Sequence, residues 1–265
     1  MIVDIKKYCI INNLMQVETV YEKTVWEKFA VYKTEKTTSF EVKILSAATI
    51  VHGLAYYNIS GRWENIIQKE CDIMLVDGAW EKALILFVQE SRHITSFLCQ
   101  LFYTHAVQRH IIYLHSSLID FQGRGLMFLG PSGIGKTTQA ELWNKYRDAL
   151  IINGDVVFVQ ETEAAFLGWG TPWHGSSPYC ENASVPVHAM VVLKQSSENS
   201  IRELTGFEKV TAVSTSVFYP RWLENGMELC LETLDHFLSR VPVYELSCRP
   251  DEDAVKLTEE AVFGS

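Results

Sequence analysis

The residues best suited to chemistry in this chain are Gly130-Pro131-Ser132-Gly133-Ile134-Gly135-Lys136-Thr137-Thr138, which fit the pattern G-x-x-x-x-G-K-[ST] of a phosphate-binding loop. The spacing follows from what phosphate requires. Glycines at 130, 133 and 135 let the backbone N–H groups of the segment, including those of Ser132, Ile134 and Thr138, curl around anionic oxygens. A following helix adds the partial positive charge of its N-terminus. Lys136 can reach the terminal phosphates, and the Thr137 hydroxyl is of the kind that ligates magnesium.

Two further groups fall near this loop by position in the chain. Residues 149–152 read as a short strand ending in Asn153-Gly154-Asp155. An acid at the end of a strand beside a phosphate-loop strand is placed to hold a metal ion or orient a nucleophile, and Asp155 is the candidate for both. Residues 113–121 and 126–129 read as a β-hairpin with Gly123-Arg124 as its two-residue loop. That register sets Gln122 against Gly125, Leu118 against Leu129 and His115 opposite Ser132, at the mouth of the phosphate loop. A third group is the stretch 170–182, with little apolar periodicity but rich in aromatic, hydroxyl and imidazole side chains. Long ordered loops often carry function, so Trp173, His174, Gly175 and Ser176 are its candidate substrate contacts.

These groups need elements to hold them. Residues 126–129 are a short apolar strand into the loop, and residues 139–143 begin a helix that runs to about 147. Residues 156–159 and 165–169 form a hairpin, and 188–193 a core strand. Helices near 208–218 and 228–238, a strand at 243–246 and a last helix opening near Pro250-Asp251-Glu252-Asp253 complete the half. Earlier, residues 91–112 carry Ile94, Phe97, Leu98, Leu101 and Phe102 at helical spacing, with Ser91 as N-cap and His93, His105 and His110 as ordinary helix residues. Residues 1–88 are β-rich, with strands at 8–11, 15–21, 40–45 and 83–88 whose alternation suits half-buried antiparallel pairs. The expected division is an accessory domain over 1–88, either for substrate recognition or assembly or as a scaffold without substrate contact, and a phosphate-loop domain over 89–265.

Composition narrows the functional classes. The chain has 265 residues, 48% hydrophobic, enough for a core. No run of about eighteen apolar residues occurs and the N-terminus lacks the order of a signal peptide, so the expectation is a cytoplasmic protein with no membrane partner. A formal net charge of −9 argues against a broad nucleic-acid footprint. The six cysteines are scattered without metal-ligand spacing and are expected to be reduced thiols.

Taken in order, His115, Gly123-Arg124-Gly125, the loop 129–136 and a strand ending at Asp155 resemble the HPr serine kinase/phosphorylase family, whose P-loop core is shared with phosphoenolpyruvate carboxykinase. The nearer resemblance is to bacterial HPr-kinase-like proteins, some encoded beside ribosomal-peptide and lasso-peptide machinery. Pro172-Trp173-His174-Gly175 and Arg249-Pro250 fit that pattern, and the likeness spans about residues 90–262. It implies an α/β fold with a P-loop kinase core and mixed sheet beside the smaller β-rich N-terminal domain. It also implies an ATP-dependent kinase that moves the γ-phosphoryl group to a hydroxyl, a serine or threonine of a peptide or protein. In that reading Lys136 neutralises charge, Thr137 and Asp155 hold Mg²⁺, and His115 with Asp155 handles the acceptor's proton. Alternatives are a nucleotide-binding regulatory module with little transfer and a small-molecule kinase; a homo-oligomer fits any of them. Two departures are plain: HPr kinases carry two adjacent aspartates where this chain has Gly154-Asp155, and their glutamate-isoleucine-arginine-glycine signature is absent.

Overall fold

The computed structural model of the protein describes residues 4–19, 26–46, 62–87 and 93–264. The chain forms two compact units, Met1–Ala106 and Val107–Ser265. The expected domain boundary at 88/89 and the expected N-cap Ser91 lie outside the described residues, as do the ends of the strands expected at 15–21 and 83–88.

The first unit holds a six-stranded sheet of β1 (Asp4–Ile10), β2 (Asn13–Thr19), β3 (Phe40–Ser46), β4 (Asn65–Lys69), β5 (Asp72–Val76) and β6 (Lys82–Phe87), in the order β1-β2-β3-β6-β5-β4. Strict in–out alternation in β2 and β5 marks one packed face, as expected for half-buried strands. The sheet is mixed rather than antiparallel, because β3 runs parallel to both β2 and β6. Helix α1 (Ile94–Val107) buries the predicted Phe97, Leu98, Leu101 and Phe102. Of the three histidines only His105 lies within it. His93 precedes the helix and pairs with Asp72 at 3.0 Å, a partner twenty-one residues away in sequence. His110 follows the helix at φ +53°.

The second unit contains β7 (Ile111–Phe121), β8 (Arg124–Leu129), α2 (Lys136–Arg147), β9 (Leu150–Asn153), β10 (Val156–Glu161), β11 (Phe166–Trp169), β12 (Ser184–Gln195), β13 (Ser200–Leu204), α3 (Gly206–Ser214), β14 (Val217–Phe218), α4 (Gly226–Arg240), β15 (Val243–Cys248) and α5 (Glu252–Phe263). Its sheet has the order β11-β10-β7-β8-β12-β15-β13, and an added β11–β12 pairing closes a ring of five strands. β8, β12 and β15 are mutually parallel, so their carboxyl ends lie on one edge, where ligands of open α/β sheets bind. Helices α2 and α5 cover the sheet through Ala140, Trp143, Ala254, Val255 and Val262, packed on Phe121, Phe128, Val191 and Leu246. Asp251 caps α5 by accepting from the Ala254 N–H at 3.0 Å, the role its place before the helix suggests.

Three expectations change. The hairpin loop is Gln122-Gly123, both at positive φ, with Phe121 opposite Arg124 and Ser116 opposite Leu129. The Asp120 carboxylate organises this turn by accepting from the Gly123 N–H at 2.7 Å. Relative to the expected register the partner shifts by two residues, which preserves the face each side chain takes. Next, the helix expected to reach 218 stops at Ser214, and Val217–Phe218 instead pair with Leu114 and Tyr113 of β7. Lastly, β9 pairs with β7 and not with the phosphate-loop strand; β9 and β10 together run along β7, interrupted at Gly154-Asp155.

Candidate functional site

Where β8 leaves the sheet at Leu129, β14 takes up the next stretch of the same β7 edge, and the site forms in the gap. The phosphate loop fills it, with Gly130, Gly133 and Gly135 at φ +137°, +80° and +116°. Only glycine adopts these values without strain, and in consequence successive N–H groups can turn inward to form an anion cradle. Ser132 and Gly133 are exposed at the loop's tip, and Ile134 and Gly135 are half-buried. The buried stripe of α2 comprises Lys136, Gln139, Ala140 and Trp143. Two polar side chains on the core face of a helix are unusual, and both adjoin the loop.

Lys136 is 6% exposed and its Nζ donates to the Gly130 and Pro131 carbonyls at 3.1 and 3.3 Å. Burial pushes its pKa down, and the charge of Asp155 partly opposes that. The Ser117 hydroxyl donates to the Lys136 carbonyl at 3.0 Å, tying the helix start to β7. The Thr137 hydroxyl donates to the Gly154 carbonyl at 3.0 Å, which sets it beside the residue preceding Asp155. Thr138 is exposed on the outer side.

His115 and Asp155 meet: Nε2 and Oδ1 lie 2.9 Å apart, with side chains 26% and 34% exposed. The backbone holds both partners in register, since the His115 N–H donates to the Ser216 carbonyl at 2.8 Å and the Ser116 N–H to the Asp155 carbonyl at 3.1 Å. The hydrogen bond from His115 is the largest cause holding the Asp155 carboxyl below the ordinary carboxylate range. Burial opposes it, while the charges of His115, Lys136 and His174 add to it. A depressed folded pKa has a definite sign. The bond's contribution to stability is complete above the unfolded value of about 3.9 and is lost as pH falls through the folded value. Asp155→Asn is therefore expected to trail the wild type in denaturant stability at neutral pH, with the gap beginning to narrow below about pH 4 and closing only beneath the folded value. Parallel curves across that range would show that the bond contributes nothing.

The loop 170–182 is built around Asn153, which is fully buried. Its Nδ2 donates to the Thr171 and Trp173 carbonyls at 3.2 and 3.1 Å, and its Oδ1 accepts from the Asp155 and Val156 N–H groups at 3.0 and 2.9 Å. One amide thus fixes both the loop and the carboxylate's backbone. Trp173 and His174 are buried, and His174 Nδ1 bonds the Ser177 carbonyl. Gly175, at φ +56°, lies against the Asp155 carboxylate: a Cβ there would sit 2.2 Å from Oδ2. Ser176 is exposed. The four loop residues named from sequence therefore divide into two that anchor the loop, one that presses on Asp155 and one that faces solvent.

Asn153 and Phe218 are the site residues that sequence reasoning missed. The Asn-Gly-Asp turn signal held a clue to the first, since such asparagines bond the backbone two residues on. Nothing local marked Phe218, whose ring stacks on Tyr113 at 4.1 Å and lies 6.4 Å from His115. The donor set suits magnesium, which is held through one or two carboxylates, a hydroxyl and substrate phosphates rather than a full protein cage. No cluster of three or more acidic, cysteine or histidine residues able to hold a metal ion occurs among the described residues. None of the six cysteines forms a disulfide, and among the described residues no helix is long and apolar enough to cross a membrane.

Comparison with known proteins adds the following. No curated protein matches the chain. Among solved structures, the Hpr(Ser) kinase/phosphatase from Coxiella burnetii is similar at 9% identity, over 57% of this chain and 97% of that one, with a TM-score of 0.35. The sequence model of the family described as SynChlorMet cassette protein ScmC matches residues 87–249, more than half of the length and the whole stretch from His115 to Arg249. The chain belongs to the ScmC family.

Proposed function

We propose that the protein is an ATP-dependent phosphotransferase acting on a hydroxyl, with a serine or threonine of a peptide or protein as acceptor. The observation that carries this reading is the His115–Asp155 hydrogen bond at the edge of a glycine-built phosphate loop. A phosphate loop alone accounts for binding. A carboxylate oriented by an imidazole beside it adds a group able to take a proton.

In this reading the backbone N–H groups from Gly133 to Thr138 hold the phosphates. Lys136 exchanges its bonds to the Gly130 and Pro131 carbonyls for the terminal phosphate oxygens. Mg²⁺, held by Thr137 and Asp155, supplies neutralisation of the phosphate charge when bound. Asp155 Oδ1 is kept in place by His115, and the carboxylate accepts the proton of the acceptor hydroxyl as it attacks. Phosphoryl transfer asks mainly for positioning and charge stabilisation, which such an arrangement can provide. Phe218 and Tyr113 line the approach to His115 with apolar surface for the acceptor.

The decisive experiment incubates the purified protein with labelled ATP, Mg²⁺ and a pool of serine- and threonine-containing peptides. Label on peptide hydroxyls is the expected result. Label on a metabolite extract alone would replace the acceptor class, and tight ATP binding with transfer to neither would make the protein a nucleotide-binding regulator.

A further inference from the structure

We infer that a cleft on the opposite flank of the phosphate loop from Asp155 receives the base and ribose of the nucleotide, with Gln139 as the group that reads the base. This rests on the nucleotide-binding reading above and adds the ends of two strands to the site. The cleft encloses about 320 Å³, at the lower end of the roughly 300–1,000 Å³ typical of ligand pockets. Its wall joins the outer side of the loop at Ile134 and Thr138 to Leu193 near the end of β12, to Ser196 just past it and to Arg249 just beyond β15.

Strand order gives the direction of the bound molecule. β7 and β10, which carry His115 and lead from Asp155, lie on one side of β8; β12 and β15 lie on the other. A nucleotide whose terminal phosphate reaches Asp155 must extend its remaining half across the loop, toward the cleft. The carboxyl ends of the parallel strands β8, β12 and β15 all open there, as nucleotide sites in α/β sheets do.

Gln139 supplies an independent indication. It lines the cleft, is 3% exposed, and donates through Nε2 to Cys248 Sγ at 3.3 Å, while its Oε1 is buried without a hydrogen-bond partner. A buried acceptor left unpaired reduces stability, so one that borders a cleft calls for a partner there. The last torsion of the glutamine side chain is soft, so a turn of the amide carries the oxygen to an N–H donor in the cleft. The exocyclic amino group of adenine is such a donor.

Calorimetric titration with ATP, GTP and inorganic tripolyphosphate separates the two halves of the site. Tripolyphosphate reports the loop alone, and the excess affinity of ATP reports the cleft. In the wild type ATP is expected to bind at least about tenfold tighter than tripolyphosphate, and tighter than GTP. Ser196→Trp, which fills the cleft, should bring ATP down to the tripolyphosphate level without altering the latter. Gln139→Leu should weaken ATP by about three- to tenfold, leave tripolyphosphate unchanged and not lower the melting temperature, because it removes an unpaired acceptor. A binding difference that survives both variants, or ATP that binds no tighter than tripolyphosphate in the wild type, overturns the cleft assignment. If the wild type binds neither ligand, the phosphate-loop reading itself fails and this inference goes with it.

Discussion

Replacing Asp155 by Asn is expected to lower phosphoryl transfer by about 10²- to 10⁴-fold, the range that a positioned general base contributes, and, because Asp155 also holds Mg²⁺ in this reading, to weaken the Mg²⁺ complex of ATP while leaving affinity for metal-free ATP largely unchanged. Asn keeps the shape of the side chain and can still meet His115 at the 2.9 Å spacing, but it cannot accept the acceptor's proton. Lys136→Ala should act on the other half of the reaction. Its ammonium is directed at the loop carbonyls and would be redirected to the terminal phosphate, so its removal costs both nucleotide affinity and transfer, the latter by about 10²- to 10³-fold on the scale of a lost transition-state contact. The check is to measure binding by calorimetry and transfer by labelled ATP on the same preparations. Full turnover in Asp155→Asn would remove that carboxylate from the chemistry; full turnover in Lys136→Ala would remove the loop.

The contrast between these two variants depends on elements that differ in how far the sequence discloses them. The phosphate loop, its strand and its helix were legible because everything that makes them is local: three glycines at fixed spacing, an apolar run before, helix formers after. The meeting of His115 with Asp155 was legible only in part. The hairpin that positions His115 turns at Gln122-Gly123, an unfamiliar choice for two positive-φ positions, where Asn or Asp before glycine is the usual signal. Because the error in register was two residues, His115 still faced the side expected. A slip of one would have turned it away.

What the sequence concealed is non-local. Phe218 sits in a two-residue strand that no periodicity can reveal, and the helical pattern before it masked the change. Asn153 makes four hydrogen bonds that bind a loop some twenty residues later to the carboxylate two residues on, a pattern set by burial rather than by spacing. The departure at position 154 also acquires a physical setting. A Cβ on Gly154 would lie 1.8 Å from Ser177 Oγ, so the loop 170–182 occupies the space that a second aspartate would need. With one carboxylate, the site relies on the loop to hold that carboxylate in place.

That dependence gives the second large effect, expected for Gly175→Ala. A non-glycine residue at φ +56° pays roughly 1–2 kcal/mol for left-handed backbone. Here the added methyl would also come within 2.2 Å of Asp155 Oδ2, so either the loop retreats or the carboxylate swings off His115. Displacing a reacting group by about 1 Å costs on the order of 10²-fold in rate. Gly123→Ala is the matched control: its φ is +78°, nothing lies within 4 Å of the built Cβ, and it sits at the hairpin turn. Both variants should lose a similar conformational increment in denaturant stability, but only Gly175→Ala should lose transfer by about 10²-fold. Its further deficit in stability relative to Gly123→Ala, from the broken His115–Asp155 bond, should be present at neutral pH and shrink as pH falls through the folded value of Asp155. If the two variants transfer phosphate equally well, Gly175 does not position Asp155, and the single carboxylate is held by His115, Asn153 and the backbone of β7.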